Sequence, residues 1–262
     1  MSYVELSIEN AVATVTLNRP EVHNAFNEDV ISSLIECFER VENDDNVRVM
    51  ILQSTGKSFS AGADLNWMKK MASYTQKQNL ADAQQLAEML SKLYHLSKPT
   101  IAKIQGSAFG GAVGLVACCD IAIASRMSKF CLSEVKLGLI PATISPYVIQ
   151  AVGPRIAKRL FMTAEVISAR RARRIGLISE AVSEDELNSE VASIASGLLK
   201  NGPNAVSMAK ALVDRVAFEP INAELMQYTS TQIAAARVSQ EGQEGLTAFL
   251  EKRPANWIDT HD

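Results

Sequence analysis

Thr100-Ile-Ala-Lys-Ile-Gln105, Gly106-Ser-Ala-Phe-Gly110-Gly111-Ala-Val-Gly114 and Leu115-Val-Ala-Cys-Cys-Asp120 follow one another without a break, and their reading decides the fold. An apolar strand enters a glycine-rich turn, and the turn opens a helix whose first turn is nearly all small residues. Such a helix start has unpaired backbone N–H groups at the positive end of the helix dipole, both available to an anionic oxygen. A second strand, Ile121-Ala-Ile-Ala-Ser125, comes next, and then Phe130-Cys-Leu-Ser-Glu134. Between Glu88 and Glu165 the only carboxylates are Asp120 and Glu134, in otherwise apolar sequence. A carboxylate placed there is expected to be desolvated, with its pKa raised toward the working pH, as proton transfer requires. The residues alone equally allow Glu134 to pair with Lys136 or Lys129 at the surface.

Upstream, Tyr3 to Ile8 and Val12 to Leu17 alternate across Glu9-Asn-Ala11, the pattern of a hairpin that Asn18-Arg-Pro20 ends. Asn27 is placed to cap a helix whose apolar positions Val30, Ile31, Leu34, Ile35, Phe38 and Val41 recur at helical spacing. Val47 to Gln53 reads as a buried strand. Next comes Gly56-Lys-Ser-Phe-Ser-Ala-Gly-Ala-Asp-Leu65, whose small residues let the backbone approach a ligand closely, or simply form a turn. Asp64 is placed to cap the segment after it, and Trp67, Met68 and Met71 read either as pocket wall or as core. Asn79 to Leu96 reads as a helix stopped by Ser97-Lys-Pro99. Downstream the spacing predicts helices over 145–152, 155–163 and 169–175, the last capped by Ser168, and a short strand over 178–182. From Glu184 onward the chain reads as helices over 184–200, 203–216, 219–237 and 240–251. The strand-strand-helix order of the first half recurs, which suggests stacked turns of a structural repeat.

Composition narrows the function classes. The 262 residues are 47% hydrophobic, enough for one large α/β domain or a domain with an appendage. The 26 basic and 29 acidic side chains are spread through the sequence, leaving a net charge of −3 and no basic block that suggests nucleic acid or an anionic membrane. The four cysteines, Cys37, Cys118, Cys119 and Cys131, lie in apolar contexts without metal-ligand spacing, and only three histidines are present. Reduced thiols and no metal site are expected. No targeting segment or membrane-spanning run is visible, so a cytoplasmic protein is expected.

Phe59-Ser-Ala-Gly-Ala-Asp-Leu65, Gly110-Gly111, Cys119-Asp-Ile121, Ser133-Glu134 and Gly138-Leu-Ile-Pro141 together resemble the enoyl-CoA hydratase/isomerase (crotonase) superfamily. The likeness continues through Thr163-Ala164, Gly176-Leu177 and the closing Glu241-Gly-Gln-Glu-Gly-Leu-Thr-Ala-Phe-Leu-Glu-Lys-Arg253, so it covers nearly the whole chain in order. The resemblance implies an α/β fold: a crotonase-type spiral of repeated β-β-α units over 1–195, then a helical C-terminal trimerisation region over 196–262. It implies a homotrimer or a hexamer built as a dimer of trimers. The implied ligand is an acyl-CoA whose thioester carbonyl sits in an oxyanion hole formed by the Ala63 and Gly111 N–H groups. Coenzyme A is then part of the substrate, and no separate cofactor or metal is needed. Ala61 and Leu65 would contact CoA. Asp64, Gly110 and Gly114 fall among the same ligand-side positions, and Phe249 and Lys252 would reach CoA, often that of a neighbouring subunit.

One departure matters. Hydratases of this superfamily typically use two glutamates; Glu134 falls on the one that exchanges a proton at C2, whereas the position of the water-activating one is Gly114. Glu134 alone would then serve both steps, or a carboxylate remote in sequence folds into the site, or the reaction needs one carboxylate, as Δ3-to-Δ2 isomerisation does. A catalytically silent acyl-CoA-binding homologue also fits. Residues 135–164 contain no Asp or Glu, so a nucleophilic aspartate has no candidate there. Gly62-Ala-Asp-Leu-Asn-Trp-Met68, Phe109 to Asp120 and Ser133 to Pro146 further resemble bacterial methylglutaconyl-CoA hydratases of leucine degradation. That likeness implies a branched, carboxylated enoyl-CoA, for whose second carboxylate Lys136 is the candidate partner; a solvated lysine facing away is the alternative.

Overall fold

The computed structural model describes residues 3–258. Strands β1 (Val4–Glu9) and β2 (Val12–Leu17) pair antiparallel across Asn10 and Ala11, both at positive φ, a turn that matches strand twist. Helix α1 (Glu28–Asn43) begins where expected, with the Asn27 side chain accepting from the Val30 N–H at 3.0 Å, and it buries Val30, Ile31, Leu34, Phe38 and Val41.

The chain then winds three times through the same sequence of elements. The first turn holds β3 (Val49–Ser54), β4 (Ser58–Ser60), α2 (Leu65–Met71) and α3 (Gln76–Tyr94). The second holds β5 (Thr100–Ile104), β6 (Ser107–Phe109) and α4 (Gly111–Cys118). The third holds β7 (Ile121–Ser125), β8 (Lys129–Cys131), a 3-10 turn at Glu134–Leu137 and α5 (Ser145–Val152). β3, β5 and β7 continue the hairpin into a sheet ordered β1-β2-β3-β5-β7-β10, parallel from β2 onward, with β10 at Glu180–Val182. The short strands form a second sheet, β4-β6-β8-β9, in which β9 (Ile167–Ser168) runs antiparallel to β8. These three-residue strands are too brief to show alternation, so the residues by themselves read as turns; the spiral that the family resemblance implies is the architecture observed.

Both faces of the large sheet are covered, as a parallel sheet requires. One face meets the main core of α1, α3 and α4; on the other, Val49, Ile101 and Ile123 pack on Leu187, Val191 and Ala195 of α8 (Leu187–Leu199). Because α1, α3 and α4 each lead directly into a parallel strand (β3, β5 and β7), all three helices start at one end of the molecule. That end carries the candidate site.

Several boundaries move. Thr75 forms a capping box with Gln78, so α3 starts at Gln76 instead of Asn79. α8 starts at Leu187, and the expected division at 195/196 falls inside it. The remainder comprises α6 (Pro154–Thr163), α7 (Ala169–Arg174), α9 (Pro203–Val216), α10 (Ala223–Val238) and α11 (Gln240–Glu251). α9 and α10 bury no residue within the chain, and large apolar side chains such as Ile221, 90% exposed, stand in solvent.

Candidate active site

The Ala63 segment is held by backbone pairing from a distant loop. Phe26 makes one parallel bridge to Ala63: its N–H donates to the Gly62 carbonyl at 2.7 Å, and its carbonyl accepts from the Asp64 N–H at 2.7 Å. In a parallel bridge the intervening N–H points the other way, so the Ala63 N–H is turned outward, with no hydrogen-bond partner among the described residues. The loop that delivers Phe26 is itself fastened. Asn24 is buried, donates to the Thr55 and Ser58 carbonyls, and accepts from the Arg19 N–H.

The glycine turn abuts this segment. Gly62 has φ +88° and lies so close to the next strand that a Cβ there would stand 2.8 Å from the Phe109 carbonyl oxygen. Gly110 has φ +54°, and a Cβ on it would lie 3.4 Å from Glu134 Oε1 and 4.0 Å from the Gly62 Cα. Only glycine meets both demands. Gly111 is the first residue of α4, so its N–H has no partner within the helix, and none is found elsewhere among the described residues. Two free N–H groups thus flank the contact of two glycines, and the Glu134 carboxyl lies against it.

Glu134 is half-buried, and its Oε2 is buried without a hydrogen-bond partner. Burial raises its carboxyl above the ordinary glutamate value, opposed only by a backbone hydrogen bond. No ion pair links it to Lys136 or Lys129 among the described residues, so the surface-pair reading is set aside. Lys136 is exposed; its charge and that of Glu134 act with opposite signs on the Cys131 thiol, which burial raises. An unpaired buried carboxyl is costly unless a ligand or a proton completes it.

The Gly114 position is filled. A Cβ at Gly114 would lie 2.3 Å from Ile144 Cγ2, 2.9 Å from Ile144 Cβ and 3.4 Å from Leu90 Cδ2. Ile144 and Leu90 are themselves buried. On its Cβ side Gly114 is therefore a packing position. Asp64 makes its side-chain contacts inside the chain. Its carboxylate accepts from the Asn66 and Trp67 N–H groups and from Arg19 Nη2 at 3.1 Å, all within the protein. These contacts hold its carboxyl below the ordinary aspartate value despite burial.

Ala61 and Leu65 are exposed on either side of Ala63, Leu65 to 74%. Phe249, 80% exposed, and Lys252 stand at the end of α11, which packs on α9 and α10. Trp67 resolves to core and not pocket wall, with its indole N–H donating to Asp82 Oδ1 at 2.9 Å. Sequence reasoning gave no role to Phe26, Arg19, Ile144 and Asp82, because each acts through contacts distant in sequence. Among the described residues no helix is long and apolar enough to cross a membrane.

The comparisons with known proteins give the family and the fold. The enoyl-CoA hydratase/isomerase family matches residues 7–260. The crotonyl-CoA hydratase of Syntrophomonas wolfei is 35% identical over 255 residues, covering 97% of this chain and 96% of that protein. The 2,3-dehydroadipyl-CoA hydratase of Escherichia coli is 30% identical, covering 97% of each. The crystal structure of an enoyl-CoA hydratase from Shewanella pealeana superposes with a TM-score of 0.94 at 45% identity, covering 97% of this chain and 96% of that one. With the spiral, the free N–H pair and relatives along its whole length, the chain belongs to the enoyl-CoA hydratase/isomerase family, and it is a hydro-lyase of the enoyl-CoA hydratase kind.

Proposed function

We propose that the protein adds water across the 2,3 double bond of a branched, carboxylated enoyl-CoA, with 3-methylglutaconyl-CoA as the leading substrate. The observation that carries the reading is the half-buried Glu134 carboxyl, with one oxygen unpartnered, beside the free Ala63 and Gly111 N–H groups. The two N–H groups receive the thioester oxygen and stabilise the enolate that forms when water adds at C3. Glu134, as carboxylate, takes a proton from that water and returns it to C2. Its raised pKa suits a group that must hold a proton between the two steps. A single carboxylate performs both transfers on one face of the double bond. Leu137, Leu139 and Ile140, exposed just beyond Glu134, supply apolar surface for the acyl branch, and Lys136 supplies a cation for a distal carboxylate. The dehydroadipyl-CoA relative supports the carboxylated substrate class.

Ala61 and Leu65 then contact CoA, joined by Phe249 and Lys252 from a neighbouring subunit. The exposed apolar side chains of α9 to α11 support self-association as a homotrimer, or a hexamer of two trimers, and the cytoplasm is the compartment proposed. No separate cofactor is required. The filled Gly114 position also favours a second reading, a Δ3,Δ2-enoyl-CoA isomerase that shuttles one proton through Glu134.

Loss of enoyl-thioester absorbance on 3-methylglutaconyl-CoA, run beside crotonyl-CoA, tests the proposal. Rapid loss on the first and little on the second is expected. Loss on crotonyl-CoA alone identifies a short-chain hydratase. Silence on both, with turnover of a 3-enoyl-CoA, identifies the isomerase.

A further inference from the structure

The peptide that carries the Ala63 N–H is short and has a single bridge to Phe26, so its aim depends on what holds its ends. One anchor is Arg19 on Asp64, at 3.1 Å. The second lies one helical turn further on. Trp67 is the third residue of α2, its ring is buried, and its indole N–H donates to Asp82 Oδ1 of α3 at 2.9 Å. A buried indole needs an acceptor, and a carboxylate makes the stronger one. Asp82 is half-buried; burial raises its carboxyl, the Trp67 bond lowers it, and the Glu28 carboxylate at the start of α1 raises it further.

The place of this pair in the fold gives it meaning. Leu90 of α3 touches the Gly114 position of α4, and the two helices run in the same direction. Asp82 stands on the Leu90 face, ~12 Å toward the helix start, whereas Gly111 stands only ~4.5 Å from Gly114 in the same sense. Asp82 therefore lies toward the same end of the helix pair as the Gly111 N–H that opens α4. Arg19, from the loop before α1, and Asp82, from α3, thus fasten the segment that follows Ala63 at two points, Asp64 and Trp67, while the Phe26 bridge holds Gly62 and Asp64 to either side of it.

We propose that Asp82 is a positioning residue of the acyl-CoA site: it holds the Trp67 indole, and through the first turn of α2 it aims the Ala63 N–H at the thioester oxygen. The inference rests on the hydratase reading above. The effect belongs to the enolate-forming step, so it appears in kcat and not in ground-state binding.

The test uses the full chain as wild type, Trp67→Phe, Asp82→Ala and Asp82→Asn. Trp67→Phe removes the donor and keeps the ring bulk; Asp82→Asn retains an oxygen acceptor. Hydration of 3-methylglutaconyl-CoA and crotonyl-CoA is measured well below each variant's Tm, together with binding of butyryl-CoA. Trp67→Phe and Asp82→Ala are expected to lower kcat ~10- to 100-fold with KM and butyryl-CoA affinity nearly unchanged, and Asp82→Asn to restore most of the rate. Unchanged kcat in the first two variants overturns the proposal, as does a loss in Asp82→Asn equal to that in Asp82→Ala, or a loss carried by KM. Exchange of the butyryl-CoA α-protons in D2O needs the Ala63 N–H and Glu134 but no double bond. It separates the two failures: a wild type that exchanges without hydrating ends the hydratase reading, and exchange rates equal across the variants end the proposal for Asp82. A wild type that does neither ends both.

Discussion

On one side of the glycine turn a carboxyl group is kept half-buried with one oxygen unpartnered; on the other, the place where a side chain would grow from α4 is filled by Ile144. The Glu134 side tolerates an uncompensated polar group, which costs stability. The Gly114 side is packed at close contact, as an ordinary core is. The difference teaches that the α4 flank at Gly114 leaves no room for a second carboxylate beside Glu134. Gly114 is not a vacancy left by a lost glutamate, because the room a glutamate needs belongs to another side chain.

The comparison breaks first at Glu134. Glu134→Gln removes the proton carrier while preserving shape, so kcat is expected to fall ~10²- to 10⁴-fold with acyl-CoA binding nearly intact, read by steady-state kinetics and by titration with butyryl-CoA. Full activity in this variant would overturn its assignment. Removing one oxyanion donor by Ala63→Pro is expected to cost ~10²- to 10³-fold in kcat, with circular dichroism reporting whether the fold persists.

Gly114→Glu sharpens the other side. Overpacking against Ile144 and burial of a carboxyl are expected to destabilise the protein by about 3 kcal/mol or more in urea denaturation. Adding Ile144→Ala to that variant is expected to recover part of the loss, and equal instability in single and double variants would show that Ile144 is not the obstacle. The smallest effect is a pH dependence. The folded-state pKa of Glu134 lies above its unfolded value, so the native protein holds that proton more tightly than the unfolded chain does. Its contribution to stability is present at low pH and lost as pH rises through the folded value. Glu134→Gln is therefore expected to be more stable than wild type at neutral and alkaline pH, with the gap closing as pH falls into the ordinary carboxylate range. A gap that widens on acidification would contradict the raised pKa.

Much of the layout is legible in local sequence. The alternation of 3–8 and 12–17, the helical spacing from Val30 to Val41 and the Asn27 cap act over a few residues, and they form as read. The small residues at 60–63 and 110–114 mark where two backbones approach closely. The second sheet escapes the residue pattern because its strands are three residues or fewer, with no periodicity to detect. The tail is read as a series of helices, and α8 to α11 form within 187–251, but many apolar side chains of α9 to α11 are not buried within one chain.

The sequence by itself determined the small-residue start of α4, the isolation of Glu134 from other carboxylates nearby in the chain, and the family to which these belong. Only the tertiary structure decided that Asp64 is spent on Arg19, that Ile144 occupies the flank at Gly114, and that Trp67 is tied to Asp82. Each of these joins residues 15 to 45 positions apart or brings a loop onto a helix. Side-chain periodicity records which face of an element is buried, but not which distant residue it is buried against. A vacancy in a motif and a position filled from elsewhere therefore look the same in sequence, and only packing tells them apart.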